Sequence, residues 1–138
     1  MSGRKPSADE SKAIEYGVRI AGELGRLDLG QTVVVKDRAV VALEAMEGTD
    51  ETIARAARIA GPGIVVVKMA KPRQDMRFDV PVVGLRTLET LRDAQAAVLA
   101  VEAGKTLLLE KARFLEQAQN QGLAVVGIRR ETGETSGR

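Results

Sequence analysis

The sequence predicts a single α/β domain: a mixed, mostly parallel sheet with flanking helices and one β-hairpin. Three observations carry this expectation. A length of 138 residues is that of one ordinary domain, enough to bury a core without disulfides or a metal. Segments of helical period alternate with short, continuous apolar runs, the pattern of strands buried on both faces. Two β-rich runs are parted only by Asp37-Arg38, which signals a hairpin.

Residues 1–7 are polar and contain Pro6, and they read as a flexible arm or linker ahead of a domain at 8–128. "SADE" has the form of a capping box, with Ser7 as N-cap and Glu10 three residues on. Ile14, Val18, Ala21 and Leu24 follow at helical spacing, which predicts a helix to about Gly25. The hairpin strands are expected at 31–36 and 39–46. Thr49 or Asp50 is placed to N-cap a second helix, ending near Ala60 before "GPG". A strand is expected at 64–69, a short strand at 82–84, and a helix capped by Thr87 to about Gln95. "AAVLAVEAG" and "TLLL" are β-like or buried. A helix at 110–121 stops at Gly122, and "LAVVGI" is the last strand. The polar residues 129–138 are expected to be a flexible tail.

Composition narrows the chemistry. The chain has no cysteine and no histidine. Disulfide scaffolds, thiolate metal sites and His-dependent nucleophilic mechanisms are therefore excluded. What remains is Asp, Glu, Lys, Arg, hydroxyl groups and hard cations on oxygen ligands. Net charge is +2, and Tyr16, Phe78 and Phe114 are the only aromatics. Neither a basic footprint nor a base-stacking platform is present, so no nucleic-acid partner is expected. No apolar run is long enough to span a bilayer, and "MSGRKPSADES" lacks an apolar signal region, which points to the cytoplasm.

Four segments are candidates for chemistry. "KMAKPRQDMRFDVP" leaves the strand at 64–69 at its carboxyl end, where open α/β sheets bind ligands. Its Asp75 and Asp79 form a half-shell suited to Mg²⁺, which completes its coordination with water and substrate phosphate. Lys68, Lys71, Arg73 and Arg77 suit phosphate oxygens, and Gln74 could orient a water. The bland alternative is a solvated loop of mutually paired charges. "EAMEGTD" offers Glu44, Glu47 and Asp50 around a helix start that could face an anion. In an alternating strand Glu44 and Met46 would share a face. Ordinary turn and cap chemistry explains Gly48, Thr49 and Asp50 equally well. "EAGKT" superficially resembles a phosphate-binding loop, but Leu99 stands where the first glycine is needed and "TLLL" follows where a helix should open. "DLGQ", at a helix-to-strand junction, reads as a loop ending in glycine.

Taken together, "DLGQTVVVKDRAVVALEAMEGTDETI", "VKMAKPRQDMRFDVPVVGLRTLE" and "LAVEAGKTLLLEK" resemble the C-terminal domain of the LpxI family, over about residues 14–128. That family is the UDP-2,3-diacylglucosamine pyrophosphatase of lipid A biosynthesis. The resemblance implies Mg²⁺-dependent hydrolysis of a UDP-linked acylated glucosamine to UMP and lipid X, with water attacking the α-phosphate. It implies catalytic and metal-binding roles for Asp75 and Asp79, with Asp75 ranked first. Substrate contacts would fall to Gln31, Glu44, Glu47, Gly48, Thr49, Asp50, Lys68, Lys71, Gln74 and Arg77. Family members carry an N-terminal domain ahead of this segment, with the substrate between the two, so this chain would hold half of the cleft. The lipid substrate implies peripheral contact with the inner membrane, and homo-oligomerisation is a further candidate interaction. The alternative reading is a non-catalytic module of the same fold that binds a nucleotide or phosphate, or oligomerises.

Overall fold

The computed structural model describes residues 4–71 and 81–129. Asp75, Asp79, Gln74 and Arg77 lie outside the described residues, as does the tail beyond Arg129. The chain order is α1 (Ala8–Arg26), β1 (Thr32–Lys36), β2 (Ala39–Leu43), α2 (Thr49–Ala60), β3 (Val65–Lys68), β4 (Val82–Val83), α3 (Leu85–Asp93), β5 (Val98–Glu102), β6 (Leu107–Leu108), α4 (Lys111–Asn120) and β7 (Ala124–Ile128).

Five strands form one sheet in the order β2-β1-β3-β5-β7. β3, β5 and β7 run parallel, whereas β1 is antiparallel to both β2 and β3. The expected mixed α/β sheet with one hairpin is what the chain builds. β4 and β6 pair separately as a two-stranded parallel sheet. Alternation sorts the valines between the two faces of the main sheet. Val33, Val35, Val65 and Val67 join Ala13, Ile14, Ala21 and Leu24 of α1 in one cluster. Val34, Val66, Leu99 and Val125 join Ile53 of α2, Leu91 of α3 and Phe114 of α4 in the other. The result is three layers, with one helix below the sheet and three above it.

Local sequence explains most of the boundaries. Ser7 Oγ accepts from the Glu10 N–H at 3.1 Å, and the Ser7 N–H donates to Glu10 Oε1 at 3.0 Å, so the capping box forms. α4 ends in a Schellman motif: the Leu123 N–H bonds to the Ala118 carbonyl and the Gly122 N–H to that of Gln119. The Arg4 guanidinium donates to the carbonyls of Ala97 (2.6 Å) and Gly122 (2.9 Å), and also to Glu10. The segment ahead of α1 is thereby tied to the amino ends of β5 and β7.

Three expectations need correction. The N-cap of α2 is Gly48 rather than Thr49 or Asp50, both of which lie inside the helix. The cap position has φ 91°, a conformation in which a β-carbon is strained and glycine is not. Thr87 does not cap α3, which starts two residues earlier with Gly84 as its N-cap. The Thr87 hydroxyl instead donates to Asp50 Oδ1 of α2 at 3.0 Å. β2 ends at Leu43, not at residue 46, so strand alternation does not govern Glu44 and Met46. The sequence pattern continues past Leu43, but the last backbone bond to β1 is from the Glu44 N–H to the carbonyl of Thr32, the first residue of β1, at 3.0 Å.

Candidate active site at the carboxyl edge of the sheet

Strand direction decides which residues meet. β1 runs against β3 and β2 runs against β1, so the first residue of β1 shares an edge with the last residues of β2, β3 and β5. The register makes this explicit, with Thr32 opposite Lys68, Lys68 opposite Val101, and Val33 opposite Leu43. α2, α3 and α4 each begin at this edge, where their unpaired N–H groups favour negative charge. The edge therefore collects three helix N-termini over the carboxyl ends of the parallel strands β3, β5 and β7.

Eight of the expected site residues are described, and all eight sit at this edge. Gln31 is held by its backbone, its carbonyl accepting from the Met69 N–H at 3.0 Å and its N–H donating to Glu44 Oε1 at 3.2 Å. Glu44 thus clamps the start of β1 to the end of β2. The clamp needs Gly30, because a β-carbon there would lie 2.3 Å from the Glu44 carbonyl oxygen. The Thr49 hydroxyl meets that of Thr32 at 3.2 Å, which fastens the first turn of α2 to the sheet. Asp50 accepts from Thr87 and lies 3.9 Å from Arg86 Nε, so it joins the first turns of α2 and α3.

Glu47 is held by four donors. It pairs with Arg55, and it accepts from the Ala45 N–H at 3.1 Å and the Thr52 hydroxyl at 3.2 Å. Its own backbone N–H, the Arg55 guanidinium and the Ala45 N–H are the main causes that pull its carboxyl down from 4.5 to about 2. The same Thr52 hydroxyl lies 2.7 Å from the Gly48 carbonyl, so its single proton is shared between that carbonyl and Glu47.

Lys68 ends β3 and is only 7% exposed. Its Nζ donates to the Val82 carbonyl at 3.3 Å. Lys71 pairs with Asp28 at 3.0 Å, so the cation expected for phosphate has a carboxylate partner within the chain.

Two positions gain importance that sequence reasoning did not give them. Thr32 is fully buried and anchors Thr49. Glu102 is buried at the end of β5, where its Oε1 accepts from the Ala70 N–H at 3.0 Å and its Oε2 is 4.0 Å from Lys105 Nζ. A carboxylate closing an apolar strand was the available signal for Glu102. "EAGKT" is a strand end and a turn into β6, with no helix opening after it. The described residues on either side of 72–80 are fixed at this edge. Ala70 and Lys71 are held by Glu102 and Asp28, and the Pro81 carbonyl accepts from the Leu107 N–H at 2.9 Å. Among the described residues, the buried side-chain polar atoms without a hydrogen bond are Gln31 Nε2 and Thr106 Oγ1, both on loops of this edge.

No helix among the described residues is long and apolar enough to cross a membrane. Comparison with known proteins gives two matches. The family model for the LpxI C-terminal domain matches residues 1–126. The UDP-2,3-diacylglucosamine pyrophosphatase LpxI of Caulobacter vibrioides is 34% identical over 89% of this chain. The match covers 47% of that relative, so the chain spans about half the length of the curated protein it resembles. On the family match over nearly its whole length, together with the 34% identity, the chain belongs to the LpxI family, in which it corresponds to the C-terminal domain.

Proposed function

We propose that this chain is the catalytic domain of a UDP-2,3-diacylglucosamine pyrophosphatase acting in lipid A biosynthesis. In this reading water attacks the α-phosphate of the UDP-linked acylated sugar, and the products are UMP and lipid X. The observation that carries the proposal is family membership joined to a convergence of polar groups. Eight of the ten substrate-contact residues expected from the sequence gather on one edge, beneath three helix N-termini. A pyrophosphate needs its charge neutralised while a water is held in line, and this edge has the donors for that without histidine or cysteine. Lys68 is the cation best placed to face a phosphate, since its position at the strand end is fixed by burial.

Among the described residues no group of three or more carboxylates could hold a metal ion. Glu44, Glu47, Asp50 and Glu102 are each engaged by donors within the chain. The all-oxygen donor set of the sequence suits Mg²⁺, which typically takes one or two carboxylates and completes its shell with water and phosphate. Asp75 and Asp79 would hold it, and the ion would supply neutralisation of phosphate charge. The decisive measurement is UMP release by ³¹P NMR, with Mg²⁺, from this chain joined to the N-terminal half of its relative. Asp75→Ala is expected to abolish turnover, and unchanged turnover in both Asp75→Ala and Asp79→Ala would sink the site assignment. Nucleotide binding by the chain without turnover in the joined protein would favour a non-catalytic module.

A further inference from the structure

Lys68 and Glu102 are the two buried charged residues among those described. They end β3 and β5, neighbouring parallel strands whose last paired residues are Lys68 and Val101. Beyond that pair the strands part. The Ala103 N–H turns to β7 and donates to the Ile128 carbonyl at 2.7 Å, while the Met69 N–H donates to Gln31 on the β1 side. The Glu102 side chain spans the gap, because its Oε1 accepts from the Ala70 N–H at 3.0 Å.

A neutral amide could hold that N–H as well. Burying a carboxylate costs more than burying an amide, so the clamp alone does not account for the charge. A second contact does. Glu102 Oε2 lies 4.0 Å from Lys105 Nζ. Gly104, at φ 78°, turns the chain there, and the Lys105 N–H bonds back to the Glu102 carbonyl at 3.3 Å. The ammonium is thereby drawn towards the parting of β3 and β5, yet the Lys105 side chain stays 66% exposed. Lys71 differs, being mostly covered and paired with Asp28 at 3.0 Å.

An independent observation lies on the two flanks of the same parting. Thr106 follows Lys105, and Gln31 borders Met69. Thr106 Oγ1 and Gln31 Nε2 are the two buried side-chain polar atoms without a hydrogen bond among the described residues. Such atoms cost free energy until a partner reaches them. A hydroxyl next in sequence to an ammonium is a donor pair suited to phosphate oxygens.

We propose that Lys105 and Thr106 are phosphate contacts of this site, and that Glu102 is the positioning residue that sets the ammonium. "EAGKT" then does phosphate work from a strand end and a turn, without the helix that a phosphate-binding loop requires. The inference deepens the reading of a UDP-linked substrate and rests on it.

The test is calorimetric titration of UDP, with Mg²⁺, into the full chain. The parent is expected to bind. Lys105→Gln should weaken binding about ten-fold, and Lys105→Arg should restore part of the loss. Thr106→Val should weaken it about three-fold or more while the thermal midpoint holds or rises, because an unbonded polar atom is removed. Glu102→Gln keeps an acceptor for the Ala70 N–H and loses the charge. It should weaken binding about three-fold or more, with no further loss when combined with Lys105→Gln. Lys12→Gln removes a positive charge from the exposed side of α1, in the turn after the one Arg4 ties to the amino edge, and should leave affinity unchanged. Circular dichroism checks that each variant is folded, and if Glu102→Gln unfolds, the Lys105 and Thr106 variants still carry the test. Unchanged affinity in folded Lys105→Gln, Thr106→Val or Glu102→Gln, an equal loss in Lys12→Gln, or no UDP binding by the parent would overturn the proposal. Binding is read without turnover. A chain that binds UDP through Lys105 but releases no UMP in the joined protein refutes the pyrophosphatase reading and leaves this one standing.

Discussion

The two edges of the sheet are finished in different ways. At the amino edge the polar groups are spent on holding the chain together. Arg4 ties the carbonyls of Ala97 and Gly122, Lys36 Nζ donates to the Ala60 carbonyl at 2.9 Å, and the Gly63 N–H bonds to the Gln95 carbonyl at 2.9 Å. At the carboxyl edge the backbone is clamped just as firmly, by Glu44, Glu102 and the Thr32–Thr49 pair. Yet this edge also carries helix N-termini, unbonded Gln31 and Thr106 atoms and exposed leucines. The contrast predicts that substitutions at the amino edge cost stability alone, and those at the carboxyl edge cost function beyond stability.

Among the described residues of the two edges, the largest effect expected is at Lys68. Lys68→Gln should lower turnover of the two-domain protein about 10²-fold, as loss of one charge-stabilising donor does. Stability should fall by about 1–3 kcal/mol as the Val82 carbonyl loses its partner. If urea unfolding shifts while kcat stays, Lys68 belongs with the structural clamps. Gly30→Ala comes next. The added methyl would meet the Glu44 carbonyl and force β1 and β2 apart, at about 1–3 kcal/mol by urea midpoint. Because Gln31 moves with that junction, nucleotide affinity measured by calorimetry should fall with it.

Arg4→Ala is the matching experiment at the other edge. Loss of its partly exposed bonds should cost about 1 kcal/mol and leave nucleotide affinity unchanged. A change in affinity would erase the contrast between the edges. Glu47 gives the smallest effect, because its side chain is solvent-facing. Its carboxyl lies near 2 in the folded chain against 4.5 ordinarily. A depressed value of this kind stabilises the fold above about pH 4.5, and the contribution fades as pH falls towards about 2. Glu47→Gln should therefore separate from the parent in thermal midpoint at neutral pH and converge with it by about pH 2.

Much of this was legible in the residues. The capping box at Ser7 and Glu10, the hairpin about Asp37-Arg38 and the stop at Gly122 depend on contacts a few residues apart, so the local pattern is enough to specify them. The carboxyl edge was legible in part, since a charged segment after the buried run "GIVVV" had to emerge at a strand end. The caps of α2 and α3 were misplaced for one reason: threonine suits a cap and also suits a tertiary hydrogen bond. Thr49 and Thr87 are used for the second purpose, with Thr32 and Asp50 as partners far along the chain.

By itself the sequence determined the α/β class, the absence of thiol and imidazole chemistry, and the motifs that mark the family. These follow from composition and short-range periodicity. Tertiary structure decided that β1 lies antiparallel between β2 and β3, which brings Gln31, Thr32, Glu44 and Lys68 to one edge. It also decided that Lys71 answers Asp28 and that Glu102 holds Ala70. The physical reason is that strand order and direction are set by how the whole chain buries its valines. No residue carries that information alone.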